Sequence, residues 1–273
     1  MSLDVNVLGR HFKGAKDFDI FFHSWIPTRE PIGTLVIAHG IGEHSGRYDH
    51  VGRYYADRGI AVYALDHQGH GRSGGVTGTV ESFADFLDDV ESLLEFARRE
   101  QAGLPLVLLG HSMGGLIVTA YLLEKSLHPD FAILSGPAIV PLLDPNNRTI
   151  DPTRLSRAPE VWKQYLEDPL VLKERVREDI YPKLIEGVSL LPGRAVELEL
   201  PLLLIHGADD QLCSAEGAKQ YVESSSSDDV TVHIYEEGRH EMLNEINRDE
   251  VLADIWSWIE PRISRTREWG EGS

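Results

Sequence analysis

The feature that most constrains the fold is the alternation of short apolar segments with longer amphipathic ones along most of the chain. Several of the apolar segments are apolar at every position, as expected of parallel strands buried on both faces. Strands that alternate with helices indicate a parallel sheet with right-handed crossover connections. The predicted strands lie at 34–38, 60–65, 106–109, 131–134, 202–205 and 230–235, and the predicted helices at 50–58, 83–100, 115–125, 215–223 and 250–259.

Two segments depart from this alternation. Asp19–Trp25 alternates polar and apolar residues, which predicts an antiparallel strand near the sheet edge. Residues 137–192 hold most of the prolines but a single glycine, Gly187, and their apolar residues recur with helical spacing at 161–166 and 181–188. Pro182 suits the first turn of the second helix. We therefore predict a single domain in which 1–136 and 193–273 form the core and 137–192 form an inserted cap.

Composition excludes several classes of protein. The formal net charge of −18 argues against nucleic-acid partners and against general binding to anionic membranes. The single cysteine, Cys213, rules out an internal disulfide and is typical of a reducing compartment. No apolar run approaches the ~18 residues of a membrane span, and the first residues lack the apolar core of a secretory signal. These features predict a cytoplasmic protein.

The sequence GHSMG at 110–114 places a serine between a predicted strand and a predicted helix. This is the G-x-S-x-G pattern, and its position at a strand-to-helix turn makes it meaningful. Such a turn forces strained backbone angles at the serine and leaves no room for side chains at the flanking glycines. The strain lifts the hydroxyl clear of the backbone at the positive end of the helix. We predict that Ser112 is a nucleophile rather than an incidental turn residue.

The base and the acid are sought after the serine, because in this topology they follow as Asp or Glu and then His. Of the two late histidines, His233 lies inside an alternating strand pattern, whereas His240 lies in a loop after it. We predict His240 as the base. Asp209 and Asp210 both follow a predicted strand, and the H-G-x-x-D turn pattern favours Asp210 as the acid, with Asp209 as the alternative.

An oxyanion hole needs two backbone N–H donors. One comes from the residue after the nucleophile, Met113, and we predict Ile41, in the glycine-containing loop after an earlier strand, as the other. A phosphate-binding function for that loop is excluded, since neither glycine-rich phosphate pattern is present. Asp66, His67 and His70 could ligate a metal, but their place in a loop predicts a hydrogen-bonding role, and we expect neither a metal nor another cofactor.

Several motifs together resemble the monoacylglycerol lipase family of the α/β-hydrolase superfamily. They are TLVIAHGIGEHS at 34–45, ALDHQGHGRSGG at 64–75 and GHSMGG at 110–115, with further similarity at 203–213 and 238–245. The resemblance implies an α/β-hydrolase fold, with a mostly parallel eight-stranded sheet flanked by helices and an inserted helical cap. It also implies Ser112, Asp210 and His240 as the triad and Ile41 and Met113 as the oxyanion donors.

The resemblance further implies hydrolysis of monoacylglycerols or related short esters, without a cofactor and with a mobile apolar cap that contacts lipid transiently. The apolar faces of that cap predict an acyl tunnel lined by Trp162, Tyr165, Leu184, Ile185 and Val188. The alternatives are a general carboxylesterase or a lysophospholipase on the same triad, and a peptidase of the prolyl-aminopeptidase type. A catalytically silent ligand-binding protein is the alternative from another class.

Overall fold

A mixed sheet of eight strands runs through the molecule, and the computed structural model describes residues 5–141, 150–173 and 176–271. The strands are β1 (Val5–Lys13), β2 (Asp19–Pro27), β3 (Gly33–Ala38), β4 (Ile60–Leu65), β5 (Leu106–His111), β6 (Phe131–Ser135), β7 (Leu202–Gly207) and β8 (Val230–Tyr235). Their order across the sheet is β1-β2-β4-β3-β5-β6-β7-β8. β1 and β2 pair antiparallel, β2 pairs antiparallel with β4, and the pairs from β4 to β8 are parallel.

Helices cover both faces of the sheet. They are α1 (Asp49–Ala56), α2 (Phe83–Glu100), α3 (Met113–Glu124), α4 (Pro159–Glu167), α5 (Val176–Ser189), α6 (Ala215–Glu223) and α7 (Arg248–Glu271). In β3, Val36 packs into the core shared with α2, α3 and α6, whereas its neighbours Leu35 and Ile37 pack into the core shared with α1 and α7. Both side-chain faces of the central strands are therefore buried, which explains why they are apolar at nearly every position. Within the described chain, no helix combines the length and the hydropathy needed to cross a membrane.

The predicted α/β-hydrolase fold is confirmed, and so are its parallel strands. One strand was missed: β1 forms the true edge, and the antiparallel strand predicted from Asp19 onward is second from it. Burial alternates along most of β1, because one of its faces is open to solvent. Its sequence, VNVLGRHFK, has a glycine in its interior and no strict alternation of polar and apolar residues, which gives a weak strand pattern.

The chain between β6 and β7 contains α4 and α5, which agree with the two helices predicted there. The helix predicted from Tyr181 begins earlier, at Val176, so that Pro182 lies inside α5 rather than in its first turn. Arg177 and Glu178 favour helix formation, and this explains the earlier start.

The parallel strands bring their carboxyl ends to one edge of the sheet, where ligands bind in open α/β folds. Ser112 follows β5, Asp210 lies three residues beyond β7, and His240 lies in the loop between β8 and α7. The topology therefore collects residues from distant parts of the chain at one place.

Candidate active site

Ser112 occupies the one-residue turn between β5 and α3, with φ 53° and ψ −116°. A positive φ at a non-glycine residue is strained and must be held by its surroundings. Gly110 and Gly114 make the turn feasible. A Cβ on Gly110 would lie 2.3 Å from the carbonyl oxygen of Gly114, and a Cβ on Gly114 would lie 2.0 Å from that of Ala38. The G-x-S-x-G pattern is thus required by backbone contacts on both sides of the serine.

Three side chains form a continuous hydrogen-bonded chain beneath the cleft. Ser112 Oγ lies 2.8 Å from His240 Nε2, and His240 Nδ1 lies 2.8 Å from Asp210 Oδ2. All three are buried. The Asp210 carboxylate accepts a hydrogen bond from Nδ1 of His240, so the proton of the neutral ring is on Nδ1. Nε2 is therefore left to accept from the serine hydroxyl. The arrangement can remove a proton from Ser112.

The electrostatics of this chain are dominated by the pair Asp210 and His240. Burial on its own would raise the pKa of Asp210, but the adjacent His240 and His206 outweigh burial and hold it well below the usual range. Burial on its own would lower the pKa of His240, but the Asp210 carboxylate reverses this and raises the pKa above its usual 6.5. Asp210 is therefore ionised whenever the protein is folded near neutral pH.

The two aspartates and the two histidines considered as candidates have different surroundings in the structure. Asp210 is buried against His240, whereas Asp209 is exposed at the surface. His233 lies on β8 with Nδ1 3.7 Å from Asp254, and it takes no part in the hydrogen-bonded chain of Ser112.

Ile41 and Met113, the two predicted oxyanion donors, both lie near Ser112. Met113 is the first residue of α3, and the first amide groups of a helix have no acceptor within it. Ile41 lies in the loop after β3, and both residues line the same pocket as Ser112. This loop passes close to the nucleophile, since a Cβ on Gly40 would lie 3.1 Å from Ser112 Cβ. Both residues therefore lie near the nucleophile, and the donation of their backbone N–H groups to an oxyanion stays a prediction.

The pocket above Ser112 is small and mostly apolar. Its volume is about 30 Å³, which is roughly the share of one water molecule in the liquid. Residues from both the core and the 137–192 region line it. Among the described residues, the apolar lining includes Ile41, Met113, Ala138, Ile150, Leu155, Leu184 and Leu212.

The five residues predicted to line an acyl tunnel are placed differently from one another. Tyr165 and Leu184 line the pocket. Ile185 is 58 % exposed, and Trp162 is half-buried with Lys163 Nζ 5.6 Å from its ring centre. Val188 packs against the core between the sheet and α2, α3 and α6. A helix turns by about 100° per residue, so adjacent residues such as Leu184 and Ile185 face different surroundings.

A buried group of charged residues next to the pocket was not anticipated. Arg47 donates to both carboxylate oxygens of Glu241, at 2.8 and 2.7 Å, and its Nη1 lies 3.1 Å from Glu43 Oε2. Burial raises the pKa of Glu43 to about 7, and Arg47 only partly opposes it. Burial would also raise the pKa of Glu241, but its bidentate pairing with Arg47 lowers it. The available signals were the spacing of Glu43 and Arg47 within GEHSGRY and the position of Glu241 beside His240.

Two groups of described residues have the spacing of metal ligands. Asp210, Cys213 and His240 form one, but the first and last already bond to each other. Glu43, His111 and Glu241 form the other, and there the guanidinium of Arg47 already supplies a positive charge between the carboxylates. Burial lowers the pKa of His111 to about 3, so its ring is neutral.

The loop residues weighed as a metal site are engaged in other contacts. Asp66 Oδ1 accepts from the backbone N–H and the hydroxyl of Ser45, and its Oδ2 accepts from the Arg72 N–H at 2.8 Å. Burial lowers the pKa of His67 to about 3 and of His70 to about 4. Asp66 thus fixes the loop that follows β3 against the loop that follows β4.

Comparison with known proteins identifies the family. A family model described as "Serine aminopeptidase, S33" matches residues 29–247. A monoacylglycerol lipase of Mycolicibacterium smegmatis is 36 % identical over 91 % of this chain and 95 % of its own length, and human monoglyceride lipase is 31 % identical over 93 % and 91 %. The crystal structure of a monoacylglycerol lipase from Paleococcus ferrophilus superposes with a TM-score of 0.76, at 25 % identity over 95 % of this chain and 99 % of its own. The chain therefore belongs to the Serine aminopeptidase S33 family and, within the α/β-hydrolase superfamily, to the monoacylglycerol lipase branch of carboxylic ester hydrolases.

Proposed function

We propose that this protein hydrolyses monoacylglycerols to a free fatty acid and glycerol through an acyl-enzyme on Ser112. The observation that carries the proposal is the chain of 2.8 Å contacts from Ser112 through His240 to Asp210 at the base of an apolar pocket. The names of the relatives support the choice of ester.

In the first half-reaction, Ser112 Oγ attacks the ester carbonyl while His240 Nε2 takes its proton. Asp210 keeps the imidazole in the tautomer that this step needs and stabilises the imidazolium that forms. The oxyanion accepts hydrogen bonds from the Ile41 and Met113 amides, each worth roughly 3–4 kcal/mol in the transition state. His240 then gives its proton to the departing glycerol oxygen, which leaves the acyl group on Ser112.

In the second half-reaction, water enters in place of glycerol. His240 removes a proton from the water as it attacks the acyl carbonyl, and the same two amides hold the oxyanion. Collapse of the intermediate returns the proton to Ser112 Oγ and releases the fatty acid. Asp210 stays ionised throughout, consistent with the low pKa that its partners impose.

The pocket supports a lipid with a small polar head. Burial of each CH₂ of an acyl chain contributes ~0.8 kcal/mol, and the lining offers Leu155, Leu184 and Leu212 for that contact. Glu43 and Glu241 add carboxylate oxygens at the same pocket, and these would accept hydrogen bonds from glycerol hydroxyls.

We further propose that residues 137–192 act as a cap that must move for substrate to enter. The pocket volume of about 30 Å³ is far below the roughly 300 Å³ or more of ligand sites for drug-sized molecules. Leu166 on α4 and Ile185 on α5 are 47 % and 58 % exposed. These side chains would contact a lipid surface while the cap is open.

The test is a comparison of initial rates on monoacylglycerols of increasing chain length, on nitrophenyl esters, on lysophospholipid, on triacylglycerol and on an aminoacyl arylamide. We expect the highest kcat/KM for monoacylglycerols, with a clear dependence on chain length, and no activity for Ser112→Ala. Equal kcat/KM for a short nitrophenyl ester and the best monoacylglycerol would identify a general carboxylesterase instead. Preference for lysophospholipid or the arylamide would likewise overturn the proposed substrate.

Covalent labelling with a fluorophosphonate probe tests the nucleophile separately from the substrate. We expect the label on Ser112 in the unmodified protein and its absence in Ser112→Ala. An unlabelled, folded protein would indicate a silent ligand-binding protein on this fold.

A further inference from the structure

A second histidine contacts the acid of the triad. His206 lies on β7 with a fully buried side chain, and its Nε2 is 2.9 Å from Asp210 Oδ2. The same oxygen accepts from His240 Nδ1 at 2.8 Å. The carboxylate oxygen that serves the base is therefore held between two imidazole rings.

The other carboxylate oxygen is also fixed. Asp210 Oδ1 accepts from the backbone N–H groups of Leu212 at 2.8 Å and Cys213 at 3.1 Å. Four donors thus define the plane of this carboxylate. Rotation of the group would break several charge-assisted hydrogen bonds at once.

The contacts of His206 also indicate its tautomer. Its buried Nδ1 has no hydrogen-bond partner among the described residues. The carboxylate of Asp210 can only accept, so the proton of this contact is on Nε2 of His206. His206 therefore orients Asp210 as a donor through Nε2.

We propose that His206 is a positioning residue, which shares Asp210 Oδ2 with His240 and holds the carboxylate in the orientation that keeps His240 Nε2 facing Ser112. This inference rests on the proposed function for the roles of Ser112, His240 and Asp210. It extends that function, because it assigns a fourth side chain to the catalytic arrangement.

The proposal has a signature in the pH profile. Without the His206 donor, Oδ2 would have His240 as its remaining side-chain partner and would attract the imidazolium more strongly. Asp210 is the ionisable group that contacts His206, and Asp210, Glu43, Glu241 and His111 face His240. All of these neighbouring groups are unchanged when His206 is replaced. The acid limb of kcat/KM should therefore shift to higher pH.

The experiment compares His206→Met with His206→Gln. Methionine fills the space without a donor, whereas the glutamine amide nitrogen stands where imidazole Nε2 stands. We expect His206→Met to lower kcat about ten- to a hundredfold, as for loss of a hydrogen bond to a charged group, with little change in KM and with the upward shift of the acid limb. We expect His206→Gln to recover most of kcat and the original profile.

Two results would overturn the proposal. One is His206→Met with the kcat and pH profile of the unmodified protein, and the other is His206→Gln as impaired as His206→Met. Should His206→Met fail to fold, ¹⁵N NMR of histidine-labelled unmodified protein gives the answer: we expect a proton on Nε2 of His206, hydrogen-bonded to the Asp210 carboxylate. An Nε2 that carries no proton would contradict the inference.

The rate of Ser112 labelling by the fluorophosphonate probe keeps this test separate from the substrate proposal. That rate reports on the triad whatever the natural ester is. An unlabelled unmodified protein would refute the proposed function, whereas equal labelling rates for the unmodified protein and His206→Met would refute only the role of His206.

Discussion

His44 Nε2 lies 2.9 Å from Asp168 Oδ2, and this hydrogen bond joins the loop after β3 to the segment after α4. His44 Nδ1 accepts from the Gly46 N–H, so the ring proton is on Nε2 and donates to the carboxylate. A second bond runs nearby, from the Leu172 N–H to the Gly42 carbonyl at 2.9 Å. The loop that carries the Ile41 amide is therefore attached to the 137–192 region at two points.

Asp168→Ala should reduce catalysis because it removes one of these attachments. The lost hydrogen bond is worth about 1 kcal/mol, so we expect kcat/KM on a short soluble ester to fall about fivefold through looser placement of the Ile41 amide. Glu167→Ala is the matched control, since Glu167 is the exposed neighbour at the end of α4. Equal rates for the two variants would contradict this coupling.

Asp210 and its neighbour Asp209 allow a matched test of which residue is the acid of the triad. Asp210→Asn should lower kcat about 10⁴-fold, the loss seen when an amide replaces the acid of a serine triad and selects the wrong histidine tautomer. Asp209→Asn should leave kcat within about twofold, because Asp209 is exposed. Steady-state rates on one nitrophenyl ester, with circular dichroism to verify folding, decide between them. Loss of activity in Asp209→Asn but not in Asp210→Asn would show that Asp209, rather than Asp210, is the acid.

Gly114→Ala should disrupt the serine turn. Its Cβ would lie 2.0 Å from the Ala38 carbonyl oxygen, so β3 or α3 must shift. We expect the free energy of unfolding to fall by about 3 kcal/mol, at the upper end for overpacking, together with loss of esterase activity. Gly103→Ala is the comparison: a Cβ there meets nothing within 4 Å, and its φ of +79° should cost only about 1–2 kcal/mol of backbone strain, without loss of activity. Urea denaturation of both variants measures the difference.

The sequence predicted most of the sheet and the catalytic candidates because both leave local signals. A strand buried on both faces must be apolar throughout, and a serine in a one-residue turn needs glycine two residues away on both sides. The edge strand β1 leaves a weaker signal, since one of its faces is solvated. Its pairing with β2 is visible only in three dimensions.

The buried charges and the pocket lining depend on tertiary contacts. Arg47 and Glu241 are 194 residues apart in sequence and form a bidentate ion pair, which neither local pattern implies. Likewise, the helical periodicity of 181–188 shows that one face is buried but not what that face covers. Leu184 therefore reaches the pocket whereas Ile185 faces solvent.

Activity should decrease when His240 becomes protonated. The base must be neutral to accept the Ser112 proton, and Asp210 raises the pKa of His240 above 6.5. We therefore expect kcat/KM to fall as the pH decreases through a value above 6.5, with a slope of one proton. A profile that stays flat down to pH 5.5 would contradict His240 as the base. The same limb should appear in the pH dependence of fluorophosphonate labelling, which is independent of the ester used.

Glu43 should make stability depend on pH in the direction opposite to an exposed carboxylate in an ion pair. Burial raises its pKa from 4.5 to about 7 in the folded protein, so the folded state binds more protons than the unfolded state between these values. Stability is therefore lost as pH rises through this window, by at most about 3 kcal/mol.

Glu43→Gln cannot titrate and should lack this contribution. We expect the Tm of the unmodified protein, relative to that of Glu43→Gln, to decrease between pH 5 and pH 8. The raised pKa of His240 acts in the same direction; its main cause, Asp210, is present in both proteins, so only the smaller part of that shift that Glu43 itself causes enters the difference. Glu236→Gln, at an exposed position, should keep the full pH dependence of the unmodified protein. A Tm difference between Glu43→Gln and the unmodified protein that is constant with pH would show that Arg47 keeps Glu43 ionised throughout.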